Sequence, residues 1–77
     1  MARRSEGIPD LSTIGGRLWK LREDAEMYIV DLAVEIGCSR YTIRCWETNL
    51  HIPDTWVIIK YSDFFGVTTD WILKGTA

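Results

Sequence analysis

Cysteine, proline and histidine are scarce in this chain, whose 77 residues hold two, two and one of them. Two cysteines cannot make the disulfide framework of a small secreted domain. Cys38 and Cys45 together with His51 fall one ligand short of a tetrahedral zinc site, so no metal is expected and both thiols are assigned to packing in a reducing compartment. With only Pro9 and Pro53 to interrupt it, most of the chain is free to be helical. No apolar run approaches the roughly 18 residues of a membrane span, and the opening MARRSEGIPD lacks the apolar core of a secretory signal. The expected location is therefore cytoplasmic, with no membrane contact. Catalytic raw material is missing too. Glu23, Asp24 and Glu26 are neighbouring surface carboxylates without a histidine or nucleophile beside them, the lone His51 sits in a loop, and there is no glycine-rich phosphate loop. The chain is not expected to be an enzyme, and neither a cofactor nor a small-molecule ligand is expected.

What is present is apolar material and segregated charge. Hydrophobic residues make up 47% of the chain and include four tryptophans, enough for one domain with one core and against intrinsic disorder. The net charge of −2 speaks at first against a polyanionic partner. Its distribution speaks differently. Arg3, Arg4, Arg17, Lys20 and Arg22 crowd the first 22 residues, whereas Glu23, Asp24, Glu26, Asp31 and Glu35 follow with no base among them.

Residues 1–11 read as a flexible basic arm broken by Gly7 and Pro9, in which Arg3 and Arg4 could follow a nucleic-acid backbone. The domain proper then spans 12–77. Ser12 or Thr13 offers a cap for a first helix running to about Met27, with Ile14, Leu18, Leu21 and Ala25 inward and a frayed start at Gly15-Gly16. A short second helix from Ile29 or Val30 to Ile36 buries Leu32, Ala33 and Ile36, and Gly37 stops it. Ser39 caps a third helix that Asn49 ends, Asn being tolerant of the left-handed conformation. Asp54 or Thr55 opens a fourth through Phe65, and Thr68 or Thr69 a fifth ending at Gly75.

The stretch GCSRYTIRCWE, from Gly37 to Glu47, organises the rest. At about 100° per residue, Ser39, Thr42, Ile43 and Trp46 share one side, while Arg40, Tyr41, Arg44 and Cys45 share the other. A short helix, a glycine turn and a second helix with an apolar inner face and a basic outer one form a helix-turn-helix. Guanidinium and phenol side chains suit base edges and phosphates.

Three pieces in this order, IGGRLWKLRE, DLAVEIGCSRYTIRCWE and DFFGVTTDWILKG, resemble the lambda-repressor/Cro-like helix-turn-helix family, also called the XRE or HTH_3 type, over roughly Ile14 to Gly75. The resemblance implies an all-α fold, a compact five-helix lambda-repressor-like DNA-binding domain. It implies a sequence-specific regulator of transcription, a Cro-like or repressor-like protein of phage or prophage type that reads the major groove of double-stranded DNA with its third helix. By position, Arg40, Tyr41, Arg44 and Cys45 would touch bases. Arg17, Arg22, Tyr28, Ser39, Thr42 and Asn49 would touch the backbone. Arg22 would also pair with Glu47, a partner that a carboxylate at the core edge needs on physical grounds as well. The chain departs from the family at Tyr28-Ile29, where a hydroxyl residue and Gln are usual, and at Cys45, where a longer polar side chain is usual.

The competing expectation is a helix-turn-helix turned to binding protein, as an antitoxin-like or regulator-binding module, with Tyr28, Ile29, Tyr41 and Cys45 as an apolar patch. Trp56, Val57, Ile58, Ile59, Tyr61, Phe64 and Phe65 in the fourth helix cannot all fit one buried stripe. The surplus suggests a homodimer on DNA through Trp56, Val57, Phe64 and Trp71.

Overall fold

Side-chain oxygens set the starts of three helices in the computed structural model, which describes residues 9–76. The expectations for Arg3 and Arg4 lie outside the described residues. Thr13, in extended conformation, accepts from the Gly16 N–H and opens α1 (Ile14–Asp24). Ser39 does the same for α3 (Arg40–Glu47) through the Thr42 N–H, and Thr68 for α5 (Thr69–Lys74) through Trp71. Each satisfies one of the donors that a helix start leaves without an internal partner. Tyr28 and Asp54 precede α2 (Ile29–Ile36) and α4 (Thr55–Phe65) without a side-chain cap bond.

Helix ends follow backbone preference. Gly37 closes α2 at φ 94°, a left-handed conformation that costs glycine nothing, and leaves only Cys38 and Ser39 before α3. Asn49 takes φ 65° just after α3. α1 stops at Asp24 rather than Met27, because Glu26 turns left-handed at φ 56°. Ala25 consequently leaves the inward stripe and is exposed.

Leu18 and Leu21 of α1, Leu32, Ala33 and Ile36 of α2, Ile43 and Trp46 of α3, Val57, Ile58 and Tyr61 of α4 and Ile72 of α5 form one core. Each large aliphatic chain buried there contributes about 1.5–3 kcal/mol of transfer free energy. The Trp46 edge meets Tyr61 at 6.3 Å between centroids, and Tyr61 stacks on Phe65 at 5.8 Å. Lys60 ties α4 to the end of α2: its ammonium donates to the Ile36 carbonyl at 2.7 Å and lies 4.7 Å from the centre of the Trp56 ring. A cation at a helix C-terminus complements the carbonyl dipoles left there.

Gly15 and Gly16 have a steric reason that outweighs their helix propensity. A Cβ on Gly15 would strike the Trp46 carbonyl oxygen, and one on Gly16 would strike the Asp10 backbone. α1 therefore starts pressed between the end of α3 and the turn before it. That turn is fastened: the Thr13 hydroxyl donates to the Asp10 carbonyl at 3.0 Å, and Ser12 gives its N–H and O–H to the Asp10 carboxylate. The two Ser12 donors hold the Asp10 carboxyl below its usual pKa.

Candidate nucleic-acid interface

α3 shows how a single eight-residue helix divides its surface. Ile43 is fully buried and Trp46 nearly so, while Arg40, Tyr41 and Arg44 are exposed on the far side. Tyr41 keeps 70% of its surface open. Neither guanidinium forms an ion pair with another of the described residues. On a helical wheel the three side chains span about 100° of arc, wide enough for a groove floor and one wall. At its start Ser39 and Thr42 couple their hydroxyls at 3.0 Å. Ser39 is exposed and Thr42 half-exposed.

Cys45 does not belong to that arc. Its exposure is 7%, and the chain after α3 doubles back so that the Leu50 and His51 N–H groups both bond the Cys45 carbonyl. The assignment of Cys45 to base contact is therefore corrected to a packing role. The same finding reduces the apolar patch of the protein-binding alternative, since Ile29 is half-buried against the core as well. Tyr28 and Tyr41 are the members that remain exposed.

The two inner arginines of α1 are also corrected. Arg17 is 5% exposed, and its guanidinium donates to the carbonyls of Ile72 at 2.8 Å, Leu11 at 2.7 Å and Leu73 at 3.1 Å. It fastens the end of α5 to the residues before α1 and has no surface to offer a phosphate. Arg22 is 2% exposed and forms the bidentate pair with Glu47, Nε to Oε2 at 2.8 Å and Nη2 to Oε1 at 3.0 Å. Nη1 donates to the Met27 carbonyl at 2.9 Å. With its fork on Glu47 and its remaining nitrogen on the turn before α2, Arg22 braces the helix-turn-helix from behind rather than facing outward.

Asn49 is exposed, but its amide is engaged. Oδ1 accepts from the Gly15 N–H at 2.9 Å and Nδ2 donates to the Thr13 hydroxyl at 3.0 Å. Both partners lie at the start of α1. Cys38, half-buried in the turn before α3, has its thiol pKa raised by burial, with the Lys60 charge opposing.

Among the residues expected at a dimer contact, Val57 is 5% exposed and belongs to the core, a correction that follows from the Val57, Ile58 and Tyr61 side of α4 facing inward. Trp71 is half-buried against the same core. Trp56 and Phe64 are exposed at 56% and 45%.

Two signals for the inner contacts were present in the sequence. Arg17 and Arg22 flank the Leu18/Leu21 stripe on the helical wheel, within about 80° of its centre, where a guanidinium must find partners or leave. Lys60, alone among apolar residues of α4, could also have been read as a helix-end ligand.

No protein-family model matches this chain, and no curated relative does. Among solved structures, the chain is similar to the P22 c2 repressor protein in complex with synthetic operator 9T, with 23% identity, a TM-score of 0.78, and coverage of 83% of this chain and 97% of that one. It is similarly matched to the solution structure of the DNA-binding domain of the P22 c2 repressor, at 23% identity and a TM-score of 0.77, over 86% of this chain and 87% of that one. The five-helix, all-helical fold with its helix-turn-helix is thus the fold of that repressor domain.

Proposed function

We propose that this chain is a sequence-specific regulator of transcription that binds double-stranded DNA, with α3 in the major groove. The observation that carries the reading is the exposed set of Arg40, Tyr41 and Arg44, without an ion pair among the described residues, on a helix whose opposite face is locked into the core. The P22 c2 repressor of the same fold was solved on an operator, which supports the same partner here. Arg40 and Arg44 would reach base edges or phosphates, Tyr41 would lie along a base or thymine methyl, and Ser39, Thr42 and Tyr28 would meet the sugar-phosphate backbone. A Cro-like or repressor-like protein of XRE type describes this role. Two copies on a two-fold operator would present two α3 helices about 34 Å apart, and exposed Trp56 and Phe64 are the apolar side chains available for their contact.

Selection from randomised duplexes at low salt tests the reading. Recovery of a two-fold sequence motif is expected. If no duplex is retained, the protein-interaction reading takes its place, favoured by the exposed Tyr28 and Tyr41.

A further inference from the structure

α1 and α3 are fastened to each other at two places, and only one of them is the Arg22–Glu47 pair. The second is the Asn49 carboxamide, which closes a ring of bonds at the start of α1. Its oxygen accepts from Gly15, its nitrogen donates to Thr13, and the Thr13 oxygen in turn accepts from Gly16 and donates to Asp10. Gly15 is bare where the Trp46 carbonyl and the Asn49 side chain press on it. The ring is thus a made contact between helix backbones.

Gly15 and Arg22 are seven residues apart on α1, about 10 Å at the helical rise. The shared core holds the two helices together, and two bonded points at that spacing narrow the crossing angle that the core alone would allow. Asn49 follows α3, and Arg40 opens it, roughly 13 Å away along the axis. A pivot of about 5° at the Asn49 end would displace the Arg40 backbone by about 1 Å, a misplacement that matters to groups aligned for bidentate bonding.

We infer that Asn49 is a positioning residue: through its bonds to Gly15 and Thr13 it sets the angle of α3 on α1, and through that angle it sets discrimination between base sequences without touching DNA. The role rests on the DNA-reading function proposed above. The carboxamide bonds to α1 and, being neutral, releases no counterion from DNA.

The test uses the full chain with Asn49→Gly, which keeps the left-handed backbone and deletes only the amide. Residual dipolar couplings of the free protein should show the α3 amide vectors rotated relative to α1. On DNA, the ratio of affinity for the selected duplex to that for a scrambled duplex should fall by about tenfold to a hundredfold, with scrambled-duplex affinity unchanged. Asn49→Asp keeps an acceptor for the Gly15 N–H and should lose less of the ratio, its added charge weakening both duplexes alike, and it carries the test through the couplings and the ratio if the glycine variant does not fold. Unchanged couplings overturn the inference, as does a ratio held at the parent value. Equal loss on both duplexes also overturns it, since that is what a phosphate contact would give. Should the parent protein retain no duplex at all, the DNA-reading function fails, while the couplings still decide whether Asn49 sets the angle of α3.

Discussion

Removal of Glu47 tests the energetics behind the helix-turn-helix. The Glu47 carboxylate is 7% exposed and Arg22 2%, and they meet at 2.8 Å. Lys20 and Asp24 meet at nearly the same distance, 2.9 Å, but on the surface, with side chains 40% and 64% exposed. Distance is matched and burial is not, so burial decides the magnitude. Asp24→Ala should cost no more than about 0.5 kcal/mol, because solvent screens an exposed i,i+4 pair. Glu47→Ala removes the bidentate partner of a buried guanidinium, with the Glu23 carboxylate 3.8 Å from its Nη2, and should cost up to about 3–5 kcal/mol. A domain of this length is held by about 4–12 kcal/mol in all. The single change should therefore lower the melting temperature by about 15–30 °C or unfold the domain. The double variant Arg22→Met with Glu47→Leu should recover part of that loss, because it removes both members of the buried pair, although the Met27 carbonyl loses a donor and Glu23 loses a cation 3.8 Å away. Urea and thermal unfolding followed by circular dichroism measure all four proteins. Equal, small losses for Glu47→Ala and Asp24→Ala would refute the reasoning, as would a double variant no better than Glu47→Ala.

Arg40→Ala and Arg44→Ala should each leave the melting temperature within the range of surface substitutions, about 0.5 kcal/mol, and weaken binding to a selected duplex by about 10- to 100-fold; fluorescence anisotropy reads the loss. Tyr61→Phe should be as stable as the parent or more so by about 1 kcal/mol, since the Tyr61 hydroxyl is buried and has no partner among the described residues. Burial also pushes the Tyr61 phenol far above its usual pKa. The folded protein then holds that proton while the unfolded chain releases it near about pH 10. This contribution is complete below that pH and is lost as pH rises past it, so Tyr61→Phe should flatten the alkaline fall in urea midpoint. Gly16→Ala, which in an open helix would gain up to about 1 kcal/mol, should instead cost about 1–3 kcal/mol as the new Cβ pushes the Asp10 backbone aside. Thermal melts give the sign.

The parts of the fold written in local signals were legible: apolar spacing at 3.6 residues, a cap at Ser39 and caps narrowed to two neighbouring residues at Thr13 and Thr68, and stops at Gly37 and Gly75. Arg40, Tyr41 and Arg44 were legible as an outer face for the same reason. Cys45 was not, because a wheel describes one helix, whereas its burial accompanies the return of residues 50 and 51 to the Cys45 carbonyl. The intramolecular bonds of Arg17 and Asn49 were hidden in a related way. Their partners, Ile72 and Leu73 for one and Thr13 and Gly15 for the other, are more than 30 positions distant, and nothing in local periodicity encodes such a meeting. Gly15-Gly16 looked like a weak start and is instead a place of close approach, a distinction that depends on which backbone lies opposite.

The central claim is that the outer face of α3 enters a DNA groove while the arginines of α1 stay inside. Titration of the protein with a selected duplex, followed through the arginine side-chain Nε–H resonances, tests it most directly. The Arg40 and Arg44 signals should move on binding, and the Arg17 and Arg22 signals should hold still. Static Arg40 and Arg44 signals, with the changes gathered instead around Trp56 and Phe64, would contradict it.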